Sequence, residues 1–150
     1  MTSNHKQVSL LVLVLAVMSL AAAAPQKYNC NLWLRVECQN AGDRAGMVTL
    51  VSSDAVLDAV LLQEGISELS TLKDETDKKD WLSKNLQVGF LGGSEILQVA
   101  VAGKNADDLV VILKAVSSAY MDEAKNRPGI KVQVVNEPEV PKIQRKPGWF

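Results

Sequence analysis

The sequence predicts an α+β domain: a small, mostly antiparallel four-stranded sheet with helices packed on one face, preceded by an N-terminal hydrophobic helix. Three observations lead there. Tyr28–Cys38 alternates apolar and polar residues without a break, as a strand with one covered face does. The stretches LQVGF and EILQVAVAG flank a Gly92-Gly93 pair, the arrangement of a hairpin. Between Asn105 and Lys125 apolar residues recur at helical spacing, and a last alternating segment, IKVQVV, follows. Strand, helices, hairpin, helix and strand in that order make a two-layer packing with the helices gathered on one side.

The chain has 150 residues, enough for one domain once its N-terminus is set aside. Met1–Gln7 carries Lys6 and no acid, and Val8–Ala24 runs VSLLVLVLAVMSLAAAA without a charge. A bilayer span takes roughly 17–25 apolar residues, so this run stands at the short limit for an anchor and beyond a usual signal-peptide core. Residues 1–24 are therefore expected to be a signal peptide or a transmembrane anchor. The small residues at Ala21–Ala24 suit signal peptidase, although Pro25 hinders cut after Ala24 itself. Either reading places the rest of the chain across a membrane.

Cys30 and Cys38 share the first strand and the same face of it. Eight residues of extended chain separate their sulfurs by about 26 Å, well beyond disulfide reach. Each is expected as a small buried apolar residue. A polar break, QNAGDRAG, follows. Met47–Val51 fits a strand or a helical turn, the latter favoured by what comes next. In SSDAVLDAVLLQEG, Ser52 or Ser53 is a cap, Asp54 suits the positive helix end, Val56, Ala59, Val60 and Gln63 keep helical spacing, and Gly65 is the stop.

The polar, charged stretch after Gly65 reads as a loop leading into a short helix at Asp77–Asn85, capped by Thr76 or Asp77, with Trp81, Leu82 and Leu86 inward. Phe90 is placed to pair with the second arm of the hairpin, whose nearly all-apolar Ile96–Ala102 suits a central strand ending at Gly103. Asn105 caps the long helix, Asp107 and Asp108 occupy its first turn, and Leu109, Ile112, Leu113, Val116, Ala119 and Tyr120 form its apolar stripe. The RPG sequence at 127–129 breaks it. In the last strand Ile130, Val132 and Val134 are expected on the covered face. Residues 137–150 form a stiff proline-rich tail with Lys142, Arg145, Lys146, Trp149 and Phe150. Such a basic and aromatic set fits a membrane interface or a solvated tail.

Composition excludes several functions. Net charge is −1, so no basic field is present to hold nucleic acid. The single histidine, His5, precedes the apolar run, which leaves the exported part without Ser/His/Asp, Cys/His or histidine–metal sites. The carboxylate pairs Asp107/Asp108, Asp74/Glu75 and Asp122/Glu123 read as a helix start, a solvated loop and a helix end. Gly103-Lys104 stands between strand and helix, the context of a phosphate loop, yet the upstream glycine and following Ser/Thr of that loop are missing, as is any G-x-G-x-x-G. No catalytic residue, cofactor or metal is expected, and the chain reads as non-enzymatic.

The succession of motifs resembles a known family. PQKYNCNLWLRVE directly after an apolar helix is similar to the first strand of bacterial polysaccharide chain-length determinants, the Wzz-like polysaccharide co-polymerases. VSSDAVLDAVLLQEGISEL is similar to the helix that follows it. The closest resemblance is DWLSKNLQVGFLGGSEILQVAVAGKNADDLVVILKAVSSAYMDE, against a W-L-x-x-x-L-x-V, S-E-I-L-x-V, then helix-to-A-Y progression. VQVVNEPEVPKIQRKP looks like the last strand and the proline-rich lead to a second membrane helix. The resemblance covers most of Pro25–Pro147, and it makes residues 25–136 a Wzz-like α/β domain.

The resemblance implies a periplasmic, membrane-proximal domain that self-associates into rings and works with a polysaccharide polymerase and flippase without being an enzyme. It implies the inner membrane as location, through the N-terminal helix, or a periplasmic or secreted product if that helix is cleaved. The chain departs from the family in three places. MDEAKNRPG replaces the long helical extension, Ala106–Asp108 replaces an Asp-Pro helix start, and neither a second membrane helix nor a Walker motif with a tyrosine cluster is found in the sequence. The expected protein is thus a shortened form without kinase activity. A secreted or periplasmic binding module of the same fold is the alternative.

Overall fold

The computed structural model describes residues 27–141. The run expected as an N-terminal hydrophobic helix, and the cations and aromatics of the tail, lie outside the described residues. The elements in chain order are β1 (Tyr28–Cys38), α1 (Asp43–Val51), α2 (Asp54–Leu62), α3 (Lys78–Asn85), β2 (Leu86–Phe90), β3 (Ile96–Gly103), α4 (Ala106–Ala124) and β4 (Ile130–Asn136). The four strands form one sheet in the order β2-β3-β1-β4, and every pairing is antiparallel. The α+β class and the four-stranded antiparallel sheet match the sequence expectation.

Alternation along β1 translates directly into sidedness. Cys30, Leu32, Leu34 and Val36 are buried, while Asn29, Asn31, Trp33, Arg35 and Glu37 face solvent. β3 runs beside β1 in continuous register from Tyr28–Gly103 to Arg35–Ile96, so Leu97, Val99 and Val101 extend the same apolar floor. α4 lies across β1, β3 and β4, and its stripe of Leu109, Ile112, Leu113, Val116, Ala119 and Tyr120 is buried as the spacing predicts. Full burial of one such Leu or Ile stabilises by roughly 1.5–3 kcal/mol, so this contact is the main source of cohesion. The Tyr120 hydroxyl donates to the Met47 carbonyl at 3.2 Å inside the core, and burial pushes its phenol far above the ordinary pKa of 10.0.

The hairpin closes as its glycines require. Gly92 has φ +56°, a left-handed conformation that favours glycine, and Leu91 N–H donates to the Ile96 carbonyl at 2.9 Å. Phe90 pairs with Leu97. The Arg44 guanidinium stacks 3.9 Å over the Phe90 ring and donates to the Ser94 carbonyl at 2.8 Å, which ties the first helix to the hairpin.

Three expectations change. The segment read as a polar break already turns helical at Asp43, because α1 gathers Met47, Leu50 and Val51 into the core and draws the preceding turn with them. α2 ends at Leu62 rather than at Gly65: Gln63 is the C-cap, and its side-chain amide donates to the Ala115 carbonyl of α4 at 2.9 Å instead of continuing the helical face. Val134 is 38% exposed, although it pairs with Leu34. β4 is an edge strand, and its register with β1 shifts between Trp33 and Leu34, with Val135 as the extra residue.

Asp43–Leu62 taken as one stretch is long and apolar enough to cross a membrane, with mean hydropathy 1.6. Here it is two helices broken at Ser52-Ser53. Ser53 caps the second by accepting from Val56 N–H at 3.4 Å, and Met47, Leu50, Val51, Val56, Leu57 and Val60 of the two helices are buried in the core, whereas Leu62 is exposed.

Two outcomes are expected. Tyr120→Phe lowers the unfolding free energy by about 1 kcal/mol, the worth of one hydrogen bond, whereas Leu34→Ala lowers it by about 2–5 kcal/mol through a cavity. Urea unfolding with an unchanged m-value measures both. Both cysteines are free, and burial pushes each thiol above its ordinary pKa. A thiol reagent on the native chain should therefore modify half-buried Cys38 before Cys30, which is only 1% exposed, and equal rates would contradict the packing.

Candidate functional site

The densest polar arrangement among the described residues lies where β3 hands over to α4. Gly103 ends the strand hard against the next element: a Cβ there would meet Leu109 Cδ2 at 2.9 Å. This close approach brings the start of α4 down onto the loop between Ser67 and Asp77. Asn105 caps the helix, its side-chain oxygen accepting from Asp108 N–H at 3.1 Å, and its amide donates to Ser70 Oγ at 3.2 Å. Asp108 Oδ2 accepts three hydrogen bonds from the loop: Ser70 Oγ at 2.7 Å, Thr71 N at 2.9 Å and Thr71 Oγ1 at 2.7 Å.

Burial by itself would raise the Asp108 pKa, but the Ser70 and Thr71 hydrogen bonds outweigh it and hold the carboxyl below its ordinary 3.8. A carboxylate held that low is a weak base, the reverse of what proton abstraction near neutrality requires. Its hydroxyl partners point their protons into it and fix the loop. The arrangement is a clamp between loop and helix.

A cleft of about 410 Å³ opens beside the clamp, and its lining includes Lys27, Lys104, Asp74, Glu75 and Trp81. Gly103-Lys104 therefore stands in a strand-to-helix turn, as the sequence suggests. The positive end of α4 is already answered by Asn105, Asp107 and Asp108, so an incoming phosphate would meet carboxylates there.

The other carboxylate pairs are kept apart. Asp74 and Glu75 line this cleft, while Asp122 sits at the far end of α4, 3.5 Å from Lys125. Among the described residues, no three His, Cys, Asp or Glu side chains gather as a metal site.

Two further clefts flank β4. One of about 520 Å³, around Gly129, is lined by Glu37, Cys38, Glu95 and Lys131. There the Cys38 thiol is held protonated by burial and then by Asp43, which disfavours a reactive thiolate. The other, about 460 Å³, lies between α4 and the sheet edge and contains Leu32, Ser117, Met121, Val134 and Pro138.

Sequence reasoning placed Asp108 at a helix start and stopped there. Its partners are 37 and 38 residues away, and no local spacing rule links them. The only available signal was the polar Ser70-Thr71 pair in a loop that must pack somewhere. No protein-family model matches the chain, and no curated protein matches it.

Asp108→Asn should loosen the loop and cost about 1–3 kcal/mol in unfolding free energy, since a neutral amide cannot accept three donors as a carboxylate does. The sign with pH follows from the lowered pKa. The unfolded chain binds the proton near pH 3.8, the folded chain only below that, so the contribution is present above this range and disappears as pH falls through the folded value. The difference in stability between the native chain and Asp108→Asn should shrink on acidification below about pH 4, read by denaturation at a series of pH values.

Proposed function

We propose that this chain is a non-enzymatic, membrane-associated protein of cell-surface polysaccharide biosynthesis or export, of exopolysaccharide, O-antigen or capsule type. It acts as an oligomeric scaffold in chain-length control. The N-terminal helix holds it in the inner membrane with the domain in the periplasm, where copies associate and meet the polymerase and flippase machinery.

The observation that carries this reading is the run of motifs from Trp81 to Tyr120. Their residues fall on α3, β2, β3 and α4, and β3 packs against both β2 and α4. The polar groups with chemical potential support the same view, because Asp108, Ser70, Thr71 and Asn105 hold loop to helix. A protein working through shape and association needs a stiff body with free edges, and β2 and β4 are edge strands of this sheet.

A secreted or periplasmic binding module is the second reading. It is favoured by the uncovered sheet face, where Trp33 is 39% exposed opposite Gln98, and Gln98 donates to Asn31 at 3.0 Å.

In fractionated cells the scaffold reading expects the full-length chain, with its N-terminal run intact, in the membrane fraction, and a ladder of covalent oligomers after cross-linking. Deleting the gene should shift the length distribution of surface polysaccharide on a gel. A cleaved, monomeric, soluble product with polysaccharide lengths unchanged would overturn it in favour of the binding module.

A further inference from the structure

We propose that the cleft between α3, the loop at Ser70–Glu75 and the turn from β3 to α4 binds a neutral sugar unit. The ring sits against Trp81, and its hydroxyls meet the Asp74 and Glu75 carboxylates, Asn85 and Lys104. This deepens the polysaccharide reading above, on which its role in the cell rests, while the ligand class follows from the lining.

The cleft's volume, about 410 Å³, falls within the roughly 300–1,000 Å³ of small-ligand sites. One wall is fixed before any ligand arrives. Ser70, Thr71 and Asn105 line it and are already held in the Asp108 clamp, so a ligand does not have to order them. Trp81 and Asn85 stand one helical turn apart on α3, and both line the cleft. The Asn85 amide nitrogen donates to the Trp81 carbonyl at 2.8 Å, which leaves its Oδ1 as an acceptor. The half-buried indole rests beside the end of β3: its Cζ2 lies 3.8 Å from where a Gly103 Cβ would stand.

The charged groups of the lining are exposed. Among the described residues, none of Asp74, Glu75, Lys27 and Lys104 joins an ion pair. Two cations and two anions cancel, which suits a ligand without net charge. Carboxylates only accept hydrogen bonds and ammonium groups only donate them, whereas a sugar hydroxyl does both, so one ring can answer each kind. The C–H face of a pyranose ring is the apolar part that an indole wall takes up. A phosphorylated ligand is disfavoured by Asp107 and Asp108 in the first turn of α4. An extended peptide binds best along a free strand edge, and β3, whose end lines the cleft, is paired on both sides.

The test titrates the full chain, in a detergent without a sugar headgroup, with maltohexaose, cellohexaose and mannohexaose. Binding is read by saturation-transfer difference NMR on the sugar and by tryptophan fluorescence. At least one of the three should bind saturably. Asp74→Asn/Glu75→Gln changes two exposed groups without an ion pair, and should weaken binding on the order of tenfold with the unfolding midpoint unchanged. The fluorescence response should vanish in Trp81→Phe and persist in Trp33→Phe. No saturable binding by any of the three sugars overturns this inference, and leaves the scaffold reading intact if the chain is still a membrane-bound oligomer. Binding lost in Trp33→Phe but kept in Asp74→Asn/Glu75→Gln moves the sugar to the sheet face and overturns it too. So does saturable binding of triglycine with no sugar bound. Sugar binding with these variant effects in a chain that proves soluble and monomeric sustains the site and overturns the scaffold.

Discussion

The register of β1 is the constraint on which the rest of the domain depends. It is an interior strand, hydrogen-bonded to β3 along one edge and to β4 along the other, and every second side chain is apolar. Because side chains alternate with a period of two, a slip by one residue would turn Leu32, Leu34 and Val36 into water and carry Asn31, Trp33 and Arg35 into the core. No neighbouring arrangement could absorb that. β3 copies the same phase, α4 lays its stripe on the floor the two strands make, and the first two helices fill what remains around Tyr120 and Met47.

Much of this was legible in the sequence because it is local. Alternation in YNCNLWLRVEC, the Gly92-Gly93 turn and the Asn105 cap followed by Asp107 and Asp108 each report on a few consecutive residues whose conformation their own chemistry decides. The same is true of Asp77, which caps α3 by accepting from Asp80 N–H at 2.9 Å. The expectations that moved are those set by distant partners. Asp43–Gly46 is polar and glycine-containing, and only its attachment to the core residues of α1 makes it helical. Gln63 leaves the helical stripe because a carbonyl of α4 is within reach. Val134 has the right phase for burial but lies at the sheet edge, where the register shift beside Trp33 and the limited breadth of α4 leave it half open.

The clamp at Asp108 shows the same limit on the functional side. A carboxylate in the first turn of a helix has a sufficient local reason to be there, in the helix dipole, and that reason hides any other. Only the fold brings Ser70 and Thr71 to it. Once the three hydrogen bonds are seen, the carboxylate read as part of a helix start, next to a Gly-Lys turn between strand and helix, is also a fastening between loop and helix. The lowered pKa is a consequence of that fastening and points away from acid–base chemistry at neutral pH.

The ending of β4 decides where the chain leaves the sheet. A strand as long as β1 would have closed the sheet edge from Cys38 back to Tyr28. Proline at 138 has no N–H to donate to such a ladder, so pairing stops at Asn136 and the chain continues as a seated but unladdered segment. That substitution of a groove contact for a strand contact has a directional effect. It carries the outgoing chain to the end of the domain where β1 begins, so Lys27 and Pro141, the two ends of the described chain, lie at one pole, while the hairpin turn and the far end of α4 stand at the other.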